Sequence, residues 1–195
     1  MKKAFYILLI SLCSVSVGTA QDMSTIMYNV AIPMGDLKDF INPVSARGIS
    51  FDYQYLMTDN VGLGFGIGWQ VFYEDIGFQE VEDGTSTLSG YQYHYLNSFP
   101  AHVTATYFLD NGGSLIPYAG LGIGVIYNIR DNDFGLFTVE NDAWHFSFRP
   151  EAGLMFEFNY RFAMKLNARY VQGFNTKDLD GQNYLAIGLG FVFKN

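Results

Sequence analysis

Large apolar residues alternate with small or polar residues over much of the chain, which is the two-residue period of a β-strand. The clearest run is 61–69, where every odd position is large and apolar and every even position is glycine. The same alternation recurs in 119–125 and 185–193. The pattern therefore predicts a protein made of β-strands.

Eight alternating segments can be drawn, each near or above the 9–11 residues that a tilted strand needs to cross a membrane. They are 24–33, 47–56, 61–73, 91–108, 116–130, 144–158, 162–171 and 183–193. The connections alternate between short ones, at 57–60, 109–115 and 159–161, and long ones, at 34–46, 74–90, 131–143 and 172–182. This order predicts an up-and-down meander with both chain ends on the short-turn side.

The two faces of the predicted strands differ in polarity. Phe51, Val103 and Leu166 belong to one face, whereas Asp52 and Arg169 belong to the other. A soluble barrel would turn its apolar face inward. Here the charged face also carries small residues and opposite charges, so it fits the inside of a narrow barrel, and the apolar face fits lipid.

The first twenty residues have the basic, apolar and small-residue order of a secretory signal peptide. We therefore expect residues 1–20 to be cleaved and 21–195 to form one barrel domain. The only cysteine, Cys13, lies in the signal segment. Charged residues make up 15% of the chain and the net charge is −8, which argues against a nucleic-acid partner.

The segment Pro117-Tyr118-Ala119-Gly120-Leu121-Gly122-Ile123-Gly124 resembles the fifth-strand pattern of the small outer-membrane β-barrel family, the OmpA/OmpX/OmpW-like group. The resemblance covers about residues 24–193 and implies an all-β, eight-stranded antiparallel up-and-down transmembrane β-barrel. It also implies a porin-like protein in the cell envelope of a Gram-negative bacterium, with both termini periplasmic and outer-membrane lipid around it. The alternative is a soluble lipocalin-like barrel. Four inward glycines in one strand argue against it, because they would leave the core of a soluble barrel empty.

Charged residues on the inward face predict ion pairs inside the barrel, because an unpaired charge there would be costly. Pairing about a turn at 159–161 sets Glu151 opposite Arg169 and places Lys165 diagonally from Glu157 or Gly153. The candidate set is Glu151, Arg169, Arg149, Lys165, Asp52 and Glu157. Two interpretations stay open, a structural plug and a gate or ion-selective lining.

Nine glycines are also predicted to face inward: Gly62, Gly64, Gly66, Gly68, Gly120, Gly122, Gly124, Gly188 and Gly190. They could leave room for a narrow conduit for small or apolar solutes. Alternatively they allow strong curvature and receive long side chains from neighbouring strands, since eight strands leave an interior only wide enough for side chains.

The second and third long connections are rich in carboxylates, and the second has no Lys or Arg. The candidate positions are Glu74, Asp75, Glu80, Glu82, Asp83, Asp131 and Asp133. They predict either a solvated acidic surface, which could contact an extracellular or envelope protein, or oxygen ligands for divalent cations. The sequence contains no pattern for a defined metal site or a cofactor. Tyr91, Tyr93 and Tyr95 are expected to extend the fourth strand as girdle residues or as a partner surface.

His145 and Ser147 lie two apart on one strand face, as a general base and a nucleophile can. The lipid A deacylases carry a similar His-x-Ser, on the lipid-facing side of the strand, whereas here both residues have inward parity. The leading hypothesis is therefore non-enzymatic, a structural or interaction role through the acidic extracellular loops. The alternatives are a narrow channel and a lipid A-modifying enzyme.

Overall fold

Eight antiparallel strands close into a single barrel. The structure, a computed structural model, describes residues 22–83, 86–110, 112–135, 138–177 and 179–195, and of residues 80–83 and 86–89 it describes only the backbone. The strands are β1 (Asp22–Met34), β2 (Ser45–Thr58), β3 (Val61–Asp83), β4 (Ser86–Phe108), β5 (Leu115–Asp133), β6 (Thr138–Glu157), β7 (Phe162–Gly173) and β8 (Gln182–Lys194), with one short helix, α1 (Asp36–Phe40). The predicted signal peptide at 1–20 lies outside the described residues.

Each strand pairs with the next along the chain, and β1 pairs with β8 to complete the ring. The β1–β8 ladder runs from Met23↔Lys194 to Met34↔Asn183. At its end the backbones of Asp22 and Asn195 exchange two hydrogen bonds, of 3.3 and 3.0 Å. The closed ladder satisfies the backbone groups that an open sheet edge would leave unpaired. No helix in the described ranges is long and apolar enough to cross a membrane.

The number, order and pairing of the strands confirm the sequence prediction, but two predicted loops are mostly strand. β3 and β4 stay paired up to Asp83↔Ser86, within the predicted loop 74–90. β5 and β6 likewise stay paired up to Asp133↔Thr138, within the predicted loop 131–143. The predicted strands stopped at 73 and 130, and the segments that follow are rich in acidic residues, which have low β-propensity. In the structure the two arms of each hairpin satisfy each other's backbone groups, which outweighs that propensity.

These extensions form a sheet that stands above the rest of the barrel. β2 last pairs with β3 at Gly48↔Gln70, and β7 first pairs with β6 at Ser147↔Gly173. Beyond those points β3–β6 continue without β2 and β7. We call residues 71–83, 86–97, 129–133 and 138–142 the projecting sheet, the end that carries it the long-hairpin end, and the end with both termini the terminal end.

The outward face of the barrel is an apolar band. Leu63, Phe65 and Ile67 on β3 are 42–50% exposed, although they are large and apolar. Toward the long-hairpin end the band finishes in a row of rings, Trp69, Phe99, Tyr127 and Trp144, with successive centroids 6.2, 6.4 and 4.9 Å apart. An apolar belt that ends in an aromatic girdle is what a lipid bilayer requires of a barrel surface.

The interior is filled in three layers. An apolar layer near the terminal end contains Met23, Phe108, Ile116, Tyr118, Met155, Ala163 and Val192. A second apolar layer near the long-hairpin end contains Ala31, Leu37, Phe40, Ile41, Phe72, Leu96, Ile126, Val171, Tyr184 and Ala186. A polar layer of buried charged, amide and hydroxyl side chains lies between them. The β1–β2 connection supplies Leu37 and Ile41, both fully buried, so α1 folds into the mouth of the barrel.

Several inward glycines sit where neighbouring chain approaches closely. A Cβ on Gly124 would lie 2.8 Å from the backbone Cα of His102. A Cβ on Gly66 would lie 2.8 Å from the guanidinium of Arg149, and one on Gly188 would lie 2.6 Å from the side-chain oxygen of Asn167. These positions are therefore occupied by neighbouring strands and long side chains, which favours the second interpretation of the glycines over a conduit.

A methyl group at Gly124 should destabilise the barrel. We expect Gly124→Ala to lower the free energy of unfolding by about 1–3 kcal/mol, because the backbone of β4 would have to move. Gly62→Ala is the matched control, since its Cβ would meet only flexible side-chain atoms, the nearest at 3.4 Å. The measurement is urea unfolding of refolded protein in detergent. Equal midpoints for the two variants would contradict the close approach at Gly124.

Candidate functional site

A cluster of four buried charges lies in the polar layer and joins opposite walls of the barrel. Arg149 on β6 contacts Asp52 on β2 at 3.0 Å, and Arg169 on β7 contacts the other oxygen of Asp52 at 2.9 Å. Glu151 lies 3.4 Å from Arg149 and 3.6 Å from Arg169. All four side chains are at least 94% buried. The two carboxylates therefore each compensate both guanidinium groups.

Strand register and small neighbours create this geometry. Glu151 and Arg169 are directly opposite each other in the β6–β7 ladder, where the sequence spacing places them. Asp52 reaches the cluster from β2 because the barrel is narrow. Gly66 on β3 and Gly122 on β5 leave room, since a Cβ on Gly122 would lie 3.2 Å from the Cβ of Arg149. Charges and glycines, which were singled out separately in the sequence, are thus parts of one arrangement.

Lys165 takes a different partner from the one the sequence suggested. It lies opposite Met155, diagonal to Glu157 and Gly153. However, its ammonium group donates to the amide oxygen of Gln54 at 2.9 Å and lies 4.9 Å from the ring of Tyr118. Glu157 instead pairs with Lys194 near the terminal end. The reason is distance along the barrel, because Glu157 lies at the rim while Lys165 points into the polar layer.

Polar side chains that the sequence did not single out complete the layer. Ser50 accepts from Arg169 at 3.1 Å, and the amide of Gln54 donates to Thr106 at 2.5 Å. His102 bonds the hydroxyl of Ser147 through Nε2 at 2.9 Å. Inward parity alone was the signal for these residues, and it is shared by many polar positions that make no such contact.

The structure does not join His145 to Ser147. Both are fully buried and on the same face of β6, as their spacing predicts. Nevertheless, His145 bonds the backbone oxygen of Phe174 through Nδ1 at 2.8 Å, while Ser147 is held by His102. A catalytic pair requires contact between base and nucleophile and access to substrate. Neither is present at His145 and Ser147, so the arrangement is that of a packed interior.

The inserted β1–β2 connection is held by residues of the projecting sheet. The ring of Phe40 stacks on His94 at 4.2 Å, and the guanidinium of Arg130 lies 3.4 Å from the centroid of the same ring. His94 donates through Nδ1 to the backbone oxygen of Phe40 at 2.8 Å, and Glu74 accepts from the backbone N–H of Asn42 at 2.9 Å. The mouth at the long-hairpin end is thereby closed by specific contacts.

Among the four acidic candidate positions whose side chains the structure describes, Glu74, Asp75 and Asp133 accept hydrogen bonds from backbone N–H groups. Asp75 accepts from the N–H of Gly77 at 2.9 Å, and Asp133 accepts from that of Gly135 at 2.8 Å, each at a backbone position with positive φ. Asp131 lies on β5 in the projecting sheet. The side chains of Glu80, Glu82 and Asp83 lie outside what the structure describes. Within the described part of the chain, no group of three or more His, Cys, Asp or Glu side chains could hold a metal ion.

Removing one guanidinium from the cluster should cost much stability. We expect Arg169→Met to lower the free energy of unfolding by about 3–5 kcal/mol, because it leaves buried oxygens of Asp52 and Glu151 without their direct guanidinium partner. Lys194→Met is the matched control and should cost about 1 kcal/mol or less, since its partner Glu157 is partly exposed and can hydrate. Urea unfolding and the heat-sensitive gel shift measure both variants. An Arg169→Met barrel as stable as the unaltered protein would refute the pairing.

Comparison with known proteins agrees with this architecture. Residues 5–193 match the family described as outer membrane protein beta-barrel domain. The solved structure of Ail, the attachment invasion locus protein of Yersinia pestis, has a TM-score of 0.58 and 11% identity over 90% of this chain and 99% of that chain. OprG from Pseudomonas aeruginosa has a TM-score of 0.55 and 14% identity over 90% and 95%.

Neisserial surface protein A (NspA) has a TM-score of 0.53 and 13% identity over 91% of this chain and 96% of that chain. No curated protein sequence matches this chain. At such identities the three structures bear on the fold alone, and the family match covers almost the entire barrel. The chain belongs to the outer membrane protein β-barrel family.

Proposed function

We propose that this protein is a non-enzymatic interaction barrel of the bacterial outer membrane, which contacts a partner through the projecting sheet. The observation that carries the proposal is the length of the β3–β4 hairpin. Its strands remain paired for 13 residues of β3 beyond Gln70, where β2 ends its pairing. That is roughly 40 Å along the strand. A hydrogen-bonded sheet of this length presents a defined surface beyond the apolar band.

The projecting sheet exposes aromatic side chains. The ring of Tyr73 lies 4.8 Å from that of Tyr95 and 6.3 Å from that of Tyr93. Farther out, Phe78 and Tyr91 pack edge to face and are 57% and 59% exposed. Aromatic residues are enriched at protein interfaces, where they bury a large area at low entropic cost. Their position beyond the girdle favours a protein partner over lipid.

The filled interior also favours a surface role. Two apolar layers and the ion cluster occupy the described lumen, and the inserted connection closes the mouth. A solute conduit would require the cluster around Asp52 to separate, which the low-dielectric interior makes costly. An enzymatic role for His145 and Ser147 would require the same interior to open. The projecting sheet needs no such rearrangement.

Charge indicates what kind of partner fits. The four predicted long connections hold 13 acidic and two basic residues of the chain. Ail has been crystallised in complex with sucrose octasulfate, a heparin analogue. The acidic end of this chain would repel such a polyanion, so we propose a neutral or basic partner. Divalent cations at the acidic positions remain a prediction that calorimetry with Ca²⁺ can test.

Both termini are proposed to be periplasmic, with the projecting sheet outside the cell. The test is labelling of intact cells with a membrane-impermeant maleimide, because the only native cysteine lies in the predicted signal peptide. We expect Gln79→Cys in the projecting sheet to react in intact cells. Tyr160→Cys, in the exposed turn at the terminal end, should react only after lysis. The reverse pattern would overturn the orientation.

Site-specific photocrosslinking tests the interaction role. A benzoylphenylalanine in place of Tyr91 should become covalently linked to another protein when cells are irradiated in their natural surroundings, because the proposed partner contacts this surface. The matched control is the same group at Tyr107, which is 52% exposed within the apolar band and should form no protein adduct. A folded barrel that gives no adduct at Tyr91 or Phe78 would contradict the proposal.

A further inference from the structure

The buried charges of the barrel do not balance. Arg149, Arg169 and Lys165 are each at least 96% buried, whereas among the described residues only Asp52 and Glu151 oppose them in the same layer. The remaining buried cation, Lys194, is neutralised separately by Glu157. In the described part of the chain no carboxylate lies within ion-pair distance of Lys165. Its ammonium group donates to the amide oxygen of Gln54 and lies 5.3 and 4.9 Å from the rings of Phe108 and Tyr118. One excess positive charge therefore remains inside a membrane-embedded ring, where an uncompensated charge is expensive.

A small cavity lies beside the two arginines of this layer. Its volume is about 20 Å³, which is room for about one water-sized group. Its lining includes Arg149, Arg169 and Ser50 of the inward face and Ile49, Ile67 and Trp69 of the outward face. The Nε atoms of both arginines are buried without a hydrogen-bond partner. The cavity thus has a cationic base and apolar walls.

The β3–β4 ladder has a gap beside this cavity. No pair joins β3 and β4 between Ile67↔Ala101 and Gln70↔Ser98, although the register is the same on both sides. Gly68, Trp69, Phe99 and Pro100 occupy that gap; Gly68 has no side chain and Pro100 has no backbone N–H to donate. A ligand that reaches the arginines from the lipid side would enter at this gap.

From charge, size and access together we propose that this cavity binds the carboxylate of a single-chain fatty acid from the membrane. A single negative charge balances the excess inside the barrel, and a carboxylate oxygen fits a cavity of this size. A phosphate group is larger and would carry too much charge. The acyl chain lies along Ile49, Ile67 and Trp69, where the apolar band already contacts lipid. This inference goes beyond the proposed surface role and stands independently of it.

Quenching of Trp69 fluorescence by dibromostearic acid tests the site. The mature protein is refolded in a non-ionic detergent, and Trp144→Phe removes the only other tryptophan. We expect saturable quenching by the acid at a concentration about tenfold lower than by its methyl ester, because charge-assisted hydrogen bonds require the carboxylate. Equal quenching by acid and ester would overturn the proposal, since it would reflect partition into the detergent alone.

Two variants and a second ligand source make the test specific. Gly68→Val fills the cavity without altering any charge. Lys165→Met removes the excess charge at a residue that does not line the cavity. Both should abolish the preference for the acid, whereas Gly62→Val, near the terminal end, should retain it. The same preference in Gly68→Val would overturn the assignment to this cavity. Acetate and chloride test for a small aqueous anion. If either one stabilises the unaltered barrel against heat as much as the fatty acid does, the ligand is an aqueous anion, and the membrane source is overturned.

Discussion

Closure of the backbone ladder between β1 and β8 is the constraint on which the rest of this structure depends. Eight strands that cross lipid must leave no N–H or C=O group unpaired, and a ring is the arrangement that achieves this with strands. The ring then limits the interior to a width that side chains can fill. Every inward residue must therefore fit against the opposite wall, which is why Asp52 on β2 meets Arg149 on β6.

Glycine and charge are complementary solutions to that narrow interior. The long guanidinium side chains enter from β6 and β7, and glycines such as Gly66 and Gly122 stand where those side chains pass. The apolar layers on either side keep the cluster away from water. In such surroundings the pairs do not add much stability relative to an apolar core, but separating one partner from another is costly. The interior is consequently rigid.

This rigidity divides the molecule into a part that holds its place and a part that is available for contact. The apolar band and its aromatic girdle match the bilayer. The projecting sheet continues two hairpins of the same barrel, and its base is tied to the inserted connection through Phe40, His94 and Glu74. The cavity beside Gly68 is the exception, since residues of the polar layer and of the outward face line the same space there.

The sequence by itself determined the strand count, the order of the strands, the face of each residue and the pairing of Glu151 with Arg169. These features follow from a local two-residue period and short turns, so they are readable without a structure. Tertiary structure alone decided that Asp52 joins the cluster, that Lys165 turns to Gln54 and that Ser147 bonds His102. Each of those contacts joins distant strands across the lumen, where the outcome depends on barrel width, stagger and side-chain length. The full extent of β3 and β4 was likewise decided by tertiary structure, because hydrogen bonding between the two strands continues through an acidic segment that the sequence predicted as a loop.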